Sequence, residues 1–204
     1  DYRGDLTEHR SMMVHISLYT NVQNQIQEML NIWLDQVKSD VRNYAKLPLS
    51  QSEKIRSIKA MHAVWDKYNL SGIVEIEWEN LLKNYLHKAI SPIEVRSVNM
   101  KTGAASLDYF NHKNDGLRVI AVGGNSMSRG LTLEGLGVTY FHRNTKMYDT
   151  LLQMGRWFGY RPNYGDIAKV WMTPEAIDWY GQITRATAEL KEEISKMRNA
   201  NQTP

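Results

Sequence analysis

The residues of this chain best suited to chemistry lie in two short segments. In the first, VIAVGGNSMSRGLTL, an apolar run ends at Val122 and Gly123-Gly124 follow, letting the backbone turn tightly and approach a ligand closely. Asn125, Ser126 and Ser128 add short hydrogen-bonding side chains, and Arg129-Gly130 places a fixed positive charge beside a flexible position. Small donors next to a guanidinium suit a phosphate oxygen. The second segment, YDTLLQMGRWFGYR, reads as a helix carrying Gln153, Arg156 and Arg161, with Gly155 and Gly159 interspersed. Helical spacing puts Gln153 and Arg156 on one face, leaving Leu151, Leu152 and Met154 to face a sheet. Each segment alone could be a polar loop or a docked helix with surface arginines. Both together, in this order and separated by one strand, favour a shared site.

The elements that must position these residues read as alternating strands and helices. Strands are expected at Met12–Ser17, Ile93–Val98, Leu117–Val122, Val138–His142 and Ile167–Met172. Thr20 with Gln23 forms a capping-box pattern opening a helix whose apolar side is Val22, Ile26, Met29, Trp33, Val37 and Val41. Ser50 with Glu53 opens a second helix through Ile55, Ile58 and Val64. A Leu70–Gly72 break separates it from a segment holding Trp78, Leu81, Leu82, Tyr85 and Leu86. Short and longer helices are expected at Leu107–His112 and Lys146–Phe158. A last helix has Thr173 as N-cap, Pro174 at its first position, and a seam of Tyr180, Ile183, Thr187, Leu190, Ile194 and Met197 expected to dock on its own domain. This order implies an α/β fold: a three-layer domain spanning 1–204 with a mostly parallel sheet, a helical elaboration over about 45–90 and a long C-terminal helix over about 174–199. Ligands of such sheets are met at the carboxyl ends of the strands.

Composition narrows the function classes. The 204 residues are 42% hydrophobic and 23% charged, which is ordinary for a globular protein. Cysteine is absent, which excludes disulfides and thiolate chemistry and fits a cytoplasmic protein. No apolar run is long enough to span a bilayer, and the first residues carry no secretory signal. The chain lacks an initiator methionine, so it is expected to be cut from a longer protein. A net charge of +3 permits nucleic-acid binding without indicating it. The six histidines (His9, His15, His62, His87, His112, His142) have no paired metal-ligand spacing, and no metal site is expected.

The first segment resembles motif V of superfamily-two helicases, and Gln153 to Arg161 resembles their motif VI. More narrowly, GGNSMSRGLTLEGL, TYFHRNTKMYDTLLQMGRWFGYR and EAIDWY resemble the Z-one domain family over about residues 11–197. That family carries a provisional endonuclease label and is associated with helicase-type ATPases, including bacterial restriction or defence-like systems. The resemblance implies the C-terminal RecA-like half of a nucleic-acid motor. Gly124 and Asn125 would lie near the nucleic-acid backbone, Arg129 and Thr132 would couple nucleotide to the bound strand, and Arg156 and Arg161 would be arginine fingers. Met12 to Ser17 and the following turn would take the place of motif IV. ATP and Mg would then act only in the full-length protein, whose N-terminal RecA-like domain holds them, with DNA the favoured nucleic acid and no membrane. The chain departs from the pattern: motif VI spacing is altered, and motif V lacks its usual acidic residue. It has no G-x-x-x-x-G-K-[ST] loop and no strand-terminal Asp-Glu pair, so the isolated chain is expected to be inert towards ATP.

Other classes fit less well. Gly124-Asn125-Ser126-Met127-Ser128 approximates the G-x-S-x-G nucleophile elbow, but the final glycine is a serine and no histidine follows His142. For a nuclease, Glu75, Glu77 and Glu79 alternate and Glu189 precedes Lys191, patterns that charged helical faces produce freely. A degenerate interaction module is the third alternative. The aromatic load of Trp157, Phe158, Tyr160, Tyr164, Trp171, Trp179 and Tyr180 would then be mostly core and interface packing, with base stacking at one or two positions.

Overall fold

The computed structural model describes residues 7–99, 106–124, 132–142 and 164–199. β1 (Arg10–His15) leads into α1 (Thr20–Tyr44), and a helical block follows: α2 (Leu49–Ser52), α3 (Arg56–Lys67), α4 (Leu70–Val74), α5 (Trp78–Leu81), a π-helical turn at Leu82–Leu86, and α6 (His87–Ile90). Then come β2 (Ile93–Val98), β3 (Arg118–Gly123), β4 (Leu136–Phe141), β5 (Lys169–Met172) and α7 (Pro174–Asn199). The strands form one sheet in the order β2-β3-β1-β4-β5, and every pairing is parallel. Apolar runs flanked by helices produce this arrangement because both faces of a parallel sheet must be covered.

Two cores lie against the two faces. On one face Val14, Val95, Ile120 and Val122 pack with Leu34, Val37 and Val41 of α1 and with Ile58, Trp65, Trp78 and Leu82 of the helical block. The block therefore shares a core with the sheet. On the other face Met13, Val98, Val119, Ala121 and Phe141 pack with Leu107, Leu117 and Leu133, and with Tyr180 of α7. Alternation along β1 and β3 sends successive side chains to opposite cores, as the two-residue period of a strand demands. Within the first core, an apolar cavity of about 500 Å³ separates Val74, Ile76 and Leu81 from Met12, Ile120 and Val138.

Several sequence expectations are corrected. The buried stripe of α1 is Gln23, Ile26, Leu30, Leu34, Val37 and Val41, whereas Met29 and Trp33 are 69% and 57% exposed. Its cap is Tyr19, which supplies no side-chain bond, and Thr20 is already helical. Ser50 lies inside α2, and α3 begins only at Arg56, with Trp65 rather than Val64 on its buried side. Leu70–Gly72 is helical; the breaks fall at Asn69 and Glu75, both in the left-handed region. Residues 107–112 form turns instead of a helix, with Asp108 at φ 48°, a backbone a helix cannot contain. The expected helix at 146–158 lies outside the described residues.

The last helix follows its expected start. Thr173 Oγ1 accepts the Ala176 N–H at 3.2 Å, satisfying one of the orphan donors of the first turn. Its first half docks through Ala176 and Ile183, and Tyr180 meets Phe141 edge-on at 6.5 Å. Its second half does not dock on the other described residues: Leu190 and Ile194 are exposed. Among the described residues no helix is long and apolar enough to cross a membrane.

Candidate functional site

The carboxyl edge of the sheet is organised around the junction of β1, β3 and α1. β1 ends at His15, which is fully buried and stacks on Phe141 of β4 at 5.2 Å. The chain then turns through Ser17, whose Oγ accepts the Tyr19 N–H at 3.1 Å, and enters α1. Gln23, one turn into that helix, folds back so that its Nε2 donates to the Ser17 carbonyl at 2.9 Å. Gly124 presses against this pair. A Cβ there would sit 2.5 Å from Gln23 Nε2 and 2.7 Å from the Ser17 oxygen, so only glycine fits without displacing both. Among the described residues Gln23 Oε1 is buried and accepts no hydrogen bond, which is costly for an amide acceptor.

Beside this junction a polar cleft of about 470 Å³ is lined by Thr20, Asn24, Gln27, Arg96, Ser97, Asn99 and Ser106. Thr20 opens α1, whose first turn carries no acidic residue and no side-chain cap, so the helix end presents partial positive charge. Gln27 Nε2 donates to the Val95 carbonyl at 3.2 Å, which ties the helix to edge strand β2. Arg96 donates to the carbonyls of Ser106 and Leu107 at 3.0 Å and pairs with Glu94 at 2.7 Å. A cleft of amides and hydroxyls at an uncapped helix N-terminus can hold an anionic, hydrogen-bonding ligand such as a sugar-phosphate backbone.

Of the residues singled out from sequence, Gly124 stands at this junction and Thr132 does not. Thr132 is exposed, two residues before Glu134, whose carbonyl accepts from Ser11 Oγ at 2.7 Å near the amino edge. From Ser11 to Ser17 β1 and its extension cover about 20 Å, and two residues of chain recover at most ~7 Å of that, which keeps Thr132 roughly 10 Å or more from Gly124. Asn125, Ser126, Ser128, Arg129, Gly130, Gln153, Arg156 and Arg161 lie outside the described residues. Sequence reasoning missed Asn24, Gln27, Arg96, Ser97 and Asn99, and it gave Gln23 only a capping role. The signal was available in Gln23, a glutamine heading an otherwise apolar stripe.

The amino edge is built to be locked. Ser11 Oγ donates to Glu134, so the Tyr109 hydroxyl at 2.7 Å must donate to Ser11. Burial pushes the Tyr109 phenol above its ordinary value. His9 Nδ1 accepts the Leu117 N–H at 2.9 Å, which directs Nε2 towards Glu134 at 3.5 Å. Gly135, at φ 66°, lies so close to the His9 carbonyl that a Cβ would overlap it. Arg10 and Arg118 are in-register neighbours here, and the Arg118 pKa is lowered by burial first and by Arg10 second.

Among the described residues no three His, Asp or Glu side chains gather in a metal-binding group. Of the acidic residues considered for a nuclease, Glu79 pairs with Lys83 at 2.6 Å and Glu75 closes α4. No curated protein and no solved structure matches the chain. The profile of the Z1 domain matches residues 1–204, the whole length, and the chain belongs to the Z1 domain family.

Proposed function

We propose that this chain is the C-terminal, RecA-like half of a superfamily-two type ATP-driven motor, carrying nucleic acid across the carboxyl edge of its sheet. The observation that supports it is the junction at Gly124. The stretch resembling motif V leaves β3 there, against a buried glutamine and beside a polar cleft at an uncapped helix N-terminus. Phosphates and sugars find matching donors in that setting, and the turn after β1, the stretch taken to occupy the place of motif IV, borders it. Arg156 and Arg161 supply positive charge to a nucleotide held by an N-terminal RecA-like domain of the same protein. ATP with Mg²⁺ binds chiefly to that domain, since this chain has no phosphate-cradling loop of its own. The proposed nucleic acid is DNA and the proposed compartment the cytoplasm.

Measuring nucleic-acid-stimulated ATP hydrolysis tests the reading. In the full-length protein Arg156→Ala should lower kcat on the order of 10³-fold, as loss of an arginine finger does, with Arg161→Ala next in effect. The isolated chain should be inert. Robust, mutation-sensitive turnover by the isolated chain, or an unchanged kcat in Arg156→Ala, overturns it.

A further inference from the structure

Tyr140 and Trp171 are far apart in sequence but are register partners on β4 and β5. Partners in a parallel ladder send their side chains to the same face. Tyr140 also pairs with Val14, which belongs to the core beneath α1, so both rings stand on the α1 face of the sheet. Most of that face is covered. These two rings remain 40% and 45% exposed, one residue short of the carboxyl ends of their strands.

Lysines stand beside this pair. The Lys67 ammonium lies 5.7 Å from the centre of the Trp171 ring and 5.5 Å from that of Tyr68, and Lys169 lies 5.1 Å from Tyr68. Lys169 also donates to the Asp166 carbonyl at 2.8 Å, which fixes its stem without neutralising it. His142 stacks beside Tyr140 with ring centres 6.4 Å apart. Exposed rings on a sheet, side by side and flanked by ammonium groups, match what unpaired bases and their phosphates require. A duplex hides its base faces, so the arrangement selects single strands. An apolar protein partner would gain from the rings but would have to bury two lysines.

We propose that Tyr140 and Trp171 form a stacking platform for two successive bases of a single-stranded nucleic acid, with Lys67 and Lys169 holding its phosphates. The platform lies beside the carboxyl edge and extends the track proposed above. It rests on the nucleic-acid part of that reading and is independent of the arginine fingers.

Fluorescence anisotropy with labelled oligothymidylate, and with a blunt duplex of equal length, tests it on the 204-residue chain. The single strand should bind at least about tenfold more tightly than the duplex. Trp171→Ala and Tyr140→Ala should each weaken it about tenfold, whereas Trp171→Phe should retain most of the affinity. Lys67→Gln with Lys169→Gln should flatten the logarithmic salt dependence by about 1.4, the slope of two phosphate contacts on a single strand. Equal binding of duplex, or an unchanged affinity in Trp171→Ala, overturns the platform. In the full-length protein Trp171→Ala should raise the nucleic acid needed for half-maximal ATPase and leave the KM for ATP unchanged. If that protein hydrolyses no ATP the motor reading fails, while the anisotropy result still decides the platform.

Discussion

The α1 face of the sheet has two halves that were finished differently. Over β2, β3 and β1 it is roofed by α1 and the helical block, and the sheet side chains there are aliphatic and buried, around the apolar cavity. Over the carboxyl ends of β4 and β5 it ends in Tyr140 and Trp171, half-exposed and flanked by lysines. The same parallel ladder carries both halves, so backbone geometry does not account for the difference. What differs is the side-chain chemistry each strand presents, aliphatic where the fold needs cohesion and aromatic with cations where a ligand can be met. If the proposed platform holds, stability and recognition fall to separate halves of one surface.

Substitutions can break or sharpen that division. Leu82→Ala in the roofed half removes a side chain with no exposure at all, and should cost about 2–5 kcal/mol in urea unfolding. Gln23→Leu, at the carboxyl end of the roofed half, loses the bond to Ser17 but also removes the unsatisfied buried acceptor. These opposing terms should leave stability within about 1 kcal/mol of the parent, while oligonucleotide binding weakens. Trp171→Ala, in the open half, removes a ring that is 45% exposed and should cost about 1–2 kcal/mol, less than Leu82→Ala. A cost there equal to that of Leu82→Ala would make Trp171 a core residue and erase the division.

The smallest effect belongs to the far face and shows only at high pH. Burial pushes the Tyr180 phenol up to about 12. The unfolded phenol ionises near 10, so its contribution to stability is complete below about pH 10 and is lost as pH rises towards 12. Thermal unfolding across that window should fall less steeply in Tyr180→Phe than in the parent. Partial exposure of the ring keeps the difference modest.

The strands were legible because their aliphatic runs are continuous; β2 falls on the residues expected and the others shift by a residue or two. The α1 stripe was misread for a definite reason. Starting from Val22 and following large apolar residues leads to Met29 and Trp33, whereas the buried stripe starts from the polar Gln23. Periodicity counts hydrophobic positions and so passes over a buried amide retained for a local bond. The turns at 107–112 were hidden in a similar way, since nothing about Asp108 by type demands a positive φ. Gly124 was legible as a close-approach glycine, but not what it approaches. The pairing of Tyr140 with Trp171 depends on strand order, and strand order is set by long-range packing that local spacing does not encode.

The undocked half of α7 has a mechanical consequence. From Ala188 to Asn199 the helix continues for roughly 18 Å past its last anchored turn, at 1.5 Å per residue. A rod of that length clamped at one end is a lever. Each degree by which the sheet tilts sweeps its tip through ~0.3 Å, so a rotation too small to register at Phe141 arrives at Leu190, Ile194 and Met197 as a displacement that another surface could follow.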